Sequence, residues 1–237
     1  MPKLLAWNIL HGGSSRRLPQ IALSLLEHDA DTIVLTEFRT HVGGQLRGLL
    51  ADHGWHHQRC TQPPPRTNGI LIASRSPLED PRLPEPPESL SQRWLGARLP
   101  DLGLDLLALH LPDRLTDARR LVAWNALLDL ARAARDTHLA IVGDLNAGRT
   151  GRDSTETAAP GSTLMGKLWS LGYRDAWREF HPDAREYSWF SHTGSGFRLD
   201  HAIVANPLFP RVSGAWYAHR ERADRLSDHA PLVVEFA

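Results

Sequence analysis

Residues 138–146 read HLAIVGDLN, a short apolar and β-branched run that ends in a carboxylate and an amide. Runs of this length and composition predict a buried β-strand. Asp144 and Asn146 stand where that strand would end. Burying a carboxylate costs free energy unless the group is paired or binds a metal. An Asx turn after the strand explains the same two residues, so this stretch alone fixes a strand but not a site.

Similar runs recur along the chain and predict further strands. They read KLLAWN (3–8), DTIVLTEF (31–38), NGILIAS (68–74), RWLGARL (93–99), LDLLALHL (104–111), RLDHAIVA (198–205) and APLVVEF (230–236). Helical spacing of apolar residues predicts helices in RLPQIALSLLEH (17–28), TDARRLVAWNALLDLARAARD (116–136) and TLMGKLWSLGY (163–173). The proline-rich SPLEDPRLPEPPES (76–89) predicts an exposed loop. Because helices join some strands and hairpins join others, we expect one α/β domain over residues 1–237 with mixed sheets.

Composition narrows the class of protein without naming a substrate. The chain has 237 residues, 41% of them hydrophobic and 23% charged, and a formal net charge of +0. Cys60 is the only cysteine, which excludes an internal disulfide and a thiolate zinc motif. The N-terminal apolar stretch is too short for a signal peptide, and no run reaches membrane-spanning length. We therefore expect a cytoplasmic monomer with no membrane association.

Polar side chains at the ends of the predicted strands form the functional signal. Taken singly, each has a structural explanation: a turn former, a solvated strand end, a hydrogen-bonded histidine, or a carboxylate that holds Arg198 or His201. If all of them were structural, almost every strand would need its own separate explanation. A single functional site explains them together, because binding and catalytic groups commonly gather where strands end. Besides Asp144 and Asn146, the residues are Asn8, Glu37, His110, Asp200, Asp228 and His229.

The order of these motifs resembles the endonuclease/exonuclease/phosphatase superfamily. That superfamily includes DNase I-like nucleases, exodeoxyribonuclease III-like enzymes, sphingomyelinases and inositol polyphosphate phosphatases. The resemblance extends from Trp7 to Pro231 and implies a four-layer α/β sandwich, in which two packed mixed β-sheets are flanked by helices. The motifs are WN (7–8), TEF (36–38), NGILIASRSP (68–77), HLP (110–112), GDLN (143–146), FRLDH (197–201) and SDHAP (227–231).

The resemblance implies a metal-binding side of the site. Glu37 resembles the principal metal-binding carboxylate, with Asn8 beside it, and Asp228 resembles the other metal-side carboxylate. Phosphodiester hydrolysis builds negative charge on the phosphate oxygens, which a hard divalent cation with oxygen ligands can neutralise. We expect Mg²⁺ or Mn²⁺, since the chain offers oxygen ligands and almost no thiolate.

The resemblance also implies a catalytic side. His229 resembles the general base or phosphate-contacting imidazole, and Asp200 the carboxylate that orients it. Asp144 and Asn146 resemble the pair that positions the attacking water and the phosphate, with room for a second metal. His110 stands where the exodeoxyribonuclease III branch has a tyrosine and the DNase I and sphingomyelinase branches have a histidine.

The C-terminal third resembles the exodeoxyribonuclease III and apurinic endonuclease branch. The segment YRDAWREFHPDAREYSWFS (173–191), followed by GFRLDHAIV (196–204), carries that branch's aromatic pattern. Trp189, Phe190 and Phe197 then become candidates for shaping an abasic-sugar pocket, although the aromatic residues of this segment could equally be sheet-edge core. The departures at Thr36, His110, His201 and residues 11–17 leave abasic-site specificity open.

Arginines on the loop NAGRTGRDST (146–155) suggest contact with a polynucleotide. Arg149 and Arg152 lie just after GDLN, and further arginines follow other strands. Such a set predicts a surface that follows a phosphate backbone, while scattered solvated arginines are the alternative. The others are Arg16, Arg17, Arg39 and Arg114.

The sequence therefore favours a divalent-metal-dependent phosphodiester hydrolase that acts on DNA as a nuclease. Hydrolysis of small-molecule or lipid phosphoesters on the same fold is the first alternative, and the neutral net charge favours it. A catalytically silent binding module is the second alternative.

Overall fold

The computed structural model describes residues 1–113 and 118–237. Its strands are β1 (Lys3–Asn8), β2 (Thr32–Phe38), β3 (His57–Cys60), β4 (Gly69–Ser74), β5 (Trp94–Leu99), β6 (Leu104–His110), β7 (Leu139–Asp144), β8 (Tyr173–Asp175), β9 (Trp189–Phe190), β10 (Gly196–Phe197), β11 (Asp200–Ala205), β12 (Val212–Tyr217) and β13 (Leu232–Phe236). Its α-helices are α1 (Ser14–His28), α2 (Thr40–Asp52), α3 (Ala118–Ala134), α4 (Ser162–Ser170), α5 (Ala176–Phe180) and α6 (Arg220–Ala223).

Two mixed sheets form the centre of the molecule, as the sequence predicts. One has the strand order β12-β13-β1-β2-β4-β3 and the other β5-β6-β7-β11-β8, while β9 and β10 form a separate pair. The pairs β1–β2 and β6–β7 are parallel, and α1 and α3 lie in the respective connections. The neighbouring pairs, such as β3–β4 and β5–β6, are antiparallel. Parallel neighbours need a crossover, which the two predicted helices supply.

Alternation along the strands divides the core into layers. In β1, Leu4 and Ala6 belong to the apolar cluster between the two sheets, whereas Leu5 and Trp7 belong to the cluster under α1 and α2. Successive side chains of a strand point to opposite faces, so a strand buried on both sides reads as a continuous apolar run. The same division holds on the second sheet, where α3 and α4 cover the outer face. The predicted four-layer α/β sandwich is thereby confirmed.

One edge of the sandwich collects the polar strand ends. The parallel strands β1 and β2 run toward this edge, and β6 and β7 end there at His110 and Asp144. The antiparallel β11 begins there, with Asp200 directly opposite Asp144. Strand direction alone therefore brings residues that are far apart in sequence to one place.

Two further predictions concern segments away from this edge. Residues 76–87 contain no α-helix or strand apart from an isolated bridge between Glu79 and Arg98, so the proline-rich loop is confirmed. Among the residues that the structure describes, no helix has the length and hydropathy needed to cross a membrane.

Candidate active site

A cleft of about 520 Å³ opens at the edge where the polar strand ends meet. Most of the predicted site residues line it, and two more, Asn8 and Asp200, lie buried within hydrogen-bonding distance of its walls. The predicted residues in the lining are Glu37, His110, Asp144, Asn146, Trp189, Phe197, Asp228 and His229.

Asp144, Asp200 and His229 form the buried base of the cleft. One potential ligand atom from each lies within 4.8 Å of those of the other two. His229 Nδ1 lies 2.7 Å from Asp200 Oδ2, and His229 Nε2 lies 3.9 Å from Asp144 Oδ2. The Asp200 carboxylate therefore orients the ring, and Nε2 faces Asp144.

The charges at this base are set by mutual proximity. Burial opposes the charged imidazolium, but the Asp200 carboxylate, with Asp144 and Asp228, raises the pKa of His229 to about 10. Burial and the neighbouring Asp200 carboxylate raise the pKa of Asp144 to about 7. Burial likewise opposes ionisation of Asp200, but His229 lowers its pKa below the ordinary value. At neutral pH the base holds an imidazolium paired with one carboxylate, beside a second carboxyl group that is partly protonated.

Glu37 reaches the cleft because the backbone of β2 is irregular there. The pairing of β2 with β4 shifts register between Thr36 and Phe38, and Glu37 has φ 56°. A bulge re-aims one side chain, and a non-glycine residue in the left-handed region stores strain that usually marks a functional site. The pKa of Glu37 lies below its ordinary value: burial raises it, but His110 and the His11 backbone N–H lower it more.

Asn8 links Glu37 to the base of the cleft. Its amide nitrogen lies 3.0 Å from Asp144 Oδ2 and 3.4 Å from Glu37 Oε1. Its Oδ1 accepts the backbone N–H of Leu10 at 3.0 Å. In this arrangement the amide NH₂ holds two carboxylates together, while the amide oxygen faces the backbone. Asn8 as a metal ligand stays a prediction.

His110 is a neutral imidazole between two carboxylates. Its Nε2 lies 3.9 Å from Glu37 Oε1 and 3.8 Å from Asp144 Oδ2. Burial and the positive charge of Arg93 lower the pKa of His110 to about 4. The ring can therefore act as a hydrogen-bonding group at neutral pH but carries no charge.

The aromatic side of the cleft comes from the short β9–β10 pair. Trp189 and Phe197 lie opposite each other in this pair, with ring centroids 5.8 Å apart. The Trp189 indole N–H donates to Asp228 Oδ2 at 3.1 Å. Asp228 is exposed, so the predicted metal-side carboxylate lies at the rim, held by Trp189, and not within the buried group of Asp144.

The alternative structural explanations apply to neighbouring residues instead. Asp200 does not hold Arg198, whose guanidinium pairs with Asp153 and Asp175. His201 lies 3.3 Å from Asp175, which leaves the Asp200 carboxylate to His229. Of the aromatic residues in the segment 173–191, Trp177 is core and fully buried, and Phe190 is exposed; neither lines the cleft.

The arginines of the loop 146–155 lie outside the lining of the cleft. The Arg149 guanidinium stacks over the Trp169 ring at 4.6 Å. Arg152 donates to the Pro182 carbonyl and lies 3.9 Å from Asp183 Oδ1. The loop turns away from the reacting edge, so sequence adjacency to GDLN did not place these side chains in the cleft. Arg114 falls outside the described residues.

Sequence reasoning did not identify several residues that belong to the cleft. Arg93, His11 and Asn68 line it. The amide nitrogen of Asn68 lies 3.2 Å from Nδ1 of His11. The buried Ser188 hydroxyl accepts the backbone N–H groups of Leu199 and Asp200, which fixes the start of β11. Asn68 and Arg93 are the first residues of the predicted strands 68–74 and 93–99. A polar residue at the start of a buried strand was the signal that the sequence offered.

The donor chemistry of the cleft fits a divalent cation. Asp144 and Asp200 face each other across β7 and β11, and their repulsion contributes to the raised pKa of Asp144. A buried excess of negative charge of this kind is stabilised by a cation. Glu37 adds a third carboxylate, which Asn8 connects to Asp144.

Comparison with solved structures finds the same fold in DNA-processing enzymes. The 3′ phosphatase NExo from Neisseria, bound to a product DNA hairpin, superposes with a TM-score of 0.84 at 22% identity over 100% of both chains. An AP endonuclease from Archaeoglobus fulgidus gives 0.84 at 21% identity over 100% of this chain and 99% of that one. The 3′–5′ exonuclease NExo from Neisseria meningitidis gives 0.82 at 25% identity over 99% of each.

Comparison with curated protein sequences finds no match. The family model described as the endonuclease/exonuclease/phosphatase family matches residues 5–229, which include every predicted site residue. The match takes in part or all of every strand from β1 to β12 and all the strand ends that build the cleft. This chain therefore belongs to the endonuclease/exonuclease/phosphatase family and is an enzyme that hydrolyses phosphoester bonds.

Proposed function

We propose that this enzyme is a divalent-metal-dependent phosphodiesterase that cleaves DNA. The observation that carries the proposal is the pairing of two surfaces in one cleft: the Asp144–Asp200–His229 group and the Trp189–Phe197 wall. The Trp189 and His229 rings lie 6.3 Å apart, so a phosphate at the base would have an aromatic face beside it. Aromatic faces stack on bases or sugars of single-stranded or distorted nucleic acid.

Two side chains of the cleft supply a general base and a positively charged hydrogen-bond donor. The Asp144 carboxyl, with a pKa of about 7, is suited to take the proton of the attacking water near neutral pH. The His229 imidazolium, held by Asp200, can donate from Nε2 to a phosphate oxygen and stabilise its developing charge. Neutral His110 offers a second hydrogen bond beside them.

Glu37, with Asn8 beside it, and the rim carboxylate Asp228 would hold the cation, which we propose to be Mg²⁺ or Mn²⁺. When bound, the cation supplies charge neutralisation at the phosphate oxygens. The irregular backbone at Glu37, which turns its carboxylate into the cleft, supports this placement. Asn146, whose amide donates to the Leu111 carbonyl at 3.0 Å, would border the phosphate.

Relatives support DNA as the substrate. The neighbours described above are named as a 3′ phosphatase, an AP endonuclease and a 3′–5′ exonuclease, and one of them was solved with a DNA hairpin. We propose a DNA end or an abasic site as the preferred substrate, because the aromatic wall can receive one unstacked sugar. The match across residues 5–229 supports one catalytic domain over 1–237. Monomeric state, cytoplasmic location and the absence of membrane association stay predictions.

The test compares substrates under one set of conditions. Purified protein with Mg²⁺ or Mn²⁺ is incubated with supercoiled plasmid, an abasic-site duplex, a 3′-phosphate duplex and a chromogenic phosphodiester. A chelator and the Asp144→Asn variant serve as controls. Metal-dependent turnover of a DNA substrate, lost in both controls, supports the proposal; turnover of the chromogenic ester with none of the DNA substrates overturns it.

A small or lipid phosphoester is the second candidate, and one observation favours it. Arg149 and Arg152 are held against Trp169 and Asp183, away from the cleft. Arg149 and Arg152 therefore do not contribute to a phosphate-binding surface at the cleft. The chromogenic ester in the same assay separates the two candidates.

A further inference from the structure

Asn146 has a left-handed backbone at the point where the chain leaves β7. Its φ is 46°, a region that asparagine adopts more readily than most residues but that persists only where the surroundings enforce it. The Asn146 backbone N–H donates to Asp144 Oδ1 at 2.9 Å. Whatever holds the backbone of Asn146 therefore also holds the Asp144 carboxylate.

Both neighbours of Asn146 are tied to the segment at the start of β11. The Leu145 N–H donates to the Leu199 carbonyl at 2.9 Å. On the other side, His201 Nε2 lies 2.7 Å from the Ala147 carbonyl oxygen. The left-handed residue is therefore held between two hydrogen bonds, one before it and one after it.

The surroundings of His201 fix the role of its ring nitrogens. Nε2 lies 2.7 Å from the Ala147 carbonyl oxygen and 3.1 Å from that of Arg198, and because a carbonyl oxygen only accepts, Nε2 carries the hydrogen. The ring is fully buried, and its Nδ1 lies 3.3 Å from Asp175 Oδ2. The Arg198 guanidinium holds that carboxylate with hydrogen bonds of 3.1 and 2.6 Å. The His201 ring is thus held in the orientation that donates to Ala147.

Arg198 also holds the far end of the loop after Asn146. Its guanidinium donates to both carboxylate oxygens of Asp153, at 2.8 and 3.0 Å, and its backbone N–H donates to the Asp153 carbonyl at 2.9 Å. The two segments approach so closely that a Cβ at Gly148 would lie 2.8 Å from Asp153 Cβ and 3.1 Å from the Arg198 carbonyl oxygen. The segment 145–153 is therefore fastened to the segment 198–201 at both of its ends.

Strand β11 anchors two parts of the cleft through adjacent residues. Successive side chains of a strand point to opposite faces. Asp200 faces His229, at 2.7 Å from its Nδ1, while the next residue, His201, reaches Ala147. One strand therefore sets both the orientation of the His229 ring and the course of the loop after β7.

We propose that His201 is a positioning residue for phosphoester hydrolysis. By tying Ala147 to β11, it holds Asn146 in the left-handed conformation and, through Asn146, the Asp144 carboxylate. The assignment rests on the proposed function, in which Asp144 takes the proton of the attacking water and Asn146 borders the phosphate. Misplacement of reacting groups by about 1 Å costs about 10²-fold in rate, which sets the scale of the expected effect.

Three substitutions of His201 separate the hydrogen bond from the bulk of the ring. His201→Leu removes both nitrogens, and His201→Asn keeps an amide but is too short to reach the Ala147 carbonyl. Both are expected to lose about 10²-fold in kcat, with a smaller change in KM. His201→Gln can place an amide N–H near the position of Nε2, so it is expected to recover most of kcat. The parameters are measured on the DNA substrates described above and on the chromogenic phosphodiester.

The matched control is His28→Leu. His28 is a partly buried histidine outside the lining of the cleft, and its Nε2 lies 2.7 Å from Glu221 Oε1. Its loss is expected to lower the midpoint of chemical denaturation and to leave kcat unchanged. Each variant is assayed where circular dichroism shows it to be folded.

Two kinetic outcomes overturn the positioning role of His201. One is an unchanged kcat in His201→Leu and His201→Asn, which would show that the histidine only stabilises the fold. The other is a loss in His201→Gln as large as that in His201→Asn. If His201→Leu does not fold, the comparison of His201→Asn with His201→Gln decides.

Amide hydrogen exchange measures the tie without turnover. The amides of Leu145 and Asn146 are expected to exchange faster in His201→Asn than in the unsubstituted protein, whereas the Ile141 amide within β7 keeps its rate. Unchanged exchange at Leu145 and Asn146 overturns the tie. Absence of turnover by the unsubstituted protein on every substrate instead overturns the proposed function, and the exchange rates then decide the role of His201 by themselves.

Discussion

Asp144 and Asp200 are cross-strand partners, directly opposite each other in the register of β7 and β11. Their carboxylates point to the same side of the sheet and meet His229 there. Because each strand is buried along its whole length, the register that places the two residues opposite each other is fixed. Burial and the facing Asp200 carboxylate raise the pKa of Asp144, and the same carboxylate raises the pKa of His229 against the effect of burial.

The first prediction concerns the pH dependence of turnover. Asp144 acts as a base in its ionised form, which is present above a pKa of about 7, so the rate is expected to rise with pH through that region. His229 acts as an imidazolium, present below a pKa of about 10, so the rate is expected to fall above it. The plot of kcat/KM against pH is therefore expected to be bell-shaped, and its two limbs report the coupled group of Asp144, Asp200 and His229. A bound cation shifts both limbs to lower pH.

The Asp200→Asn variant checks this assignment. Removing the charge that raises both pKa values is expected to move both limbs to lower pH, the alkaline one by about 1–3 units. An alkaline limb that stays in place would show that it does not report His229.

The second prediction separates His229 from its orienting carboxylate. His229→Ala is expected to lose about 10²–10⁴-fold in turnover, the scale of general acid–base catalysis, and Asp200→Asn is expected to lose less. The double variant is expected to lose less than the product of the single losses, because the two side chains form one hydrogen-bonded unit at 2.7 Å. Strictly multiplicative losses would show that Asp200 and His229 act independently. The control is His53→Ala, which changes an exposed histidine.

The third prediction concerns Glu37 and the cation. Glu37→Gln keeps the shape of the side chain but removes its charge, so half-maximal turnover is expected to require a much higher concentration of Mg²⁺ or Mn²⁺. The measurement is a metal titration of turnover, with Glu85→Gln in the exposed proline-rich loop as control. A Glu37→Gln variant with the parent's metal dependence would remove Glu37 from the metal site.

The fourth prediction concerns the aromatic wall. Trp189→Ala is expected to weaken DNA binding by about 1–3 kcal/mol, the range for loss of one stacked base. Trp189→Phe is expected to keep most of the stacking, although it loses the indole N–H bond to Asp228. Phe180→Ala removes an exposed aromatic outside the cleft and serves as control. Parallel losses on the chromogenic phosphodiester would show that the indole serves the reacting phosphate and not a base or sugar.

The fifth prediction concerns the helix behind Glu37. A Cβ at Gly43 would lie 2.2 Å from the Phe38 ring, so Gly43→Ala is expected to lower the free energy of unfolding by about 1–3 kcal/mol, the usual effect of overpacking. A Cβ at the neighbouring Gly44 meets nothing within 4 Å, so Gly44→Ala is expected to raise it by about 0.5–1 kcal/mol. Chemical denaturation measures both, and equal effects would contradict the close approach at Phe38.

Several elements could not be read from the sequence, for local reasons. Helix α2 (Thr40–Asp52) went unpredicted because three glycines lower its helix propensity, while Leu46 and Leu50 stabilise it only through contacts in the tertiary structure. The strands β3, β8, β9, β10 and β12 were missed as well. β9 and β10 have two residues each, too short to show a period, and β3 is half-buried throughout.

The sequence by itself determined the strands β1, β2, β4, β5, β6, β7, β11 and β13 and the identity of the groups at their ends. A buried strand must be apolar throughout, so a carboxylate, amide or imidazole at its end is visible in one dimension. Only the tertiary structure decided which of these groups meet. Strand direction brought Asp144, Asp200 and His229 together, whereas the loop after Asn146 carried Arg149 to Trp169. The tertiary structure also decided the charge states, because the pKa of a group depends on its distance from charged residues that are far away in the sequence.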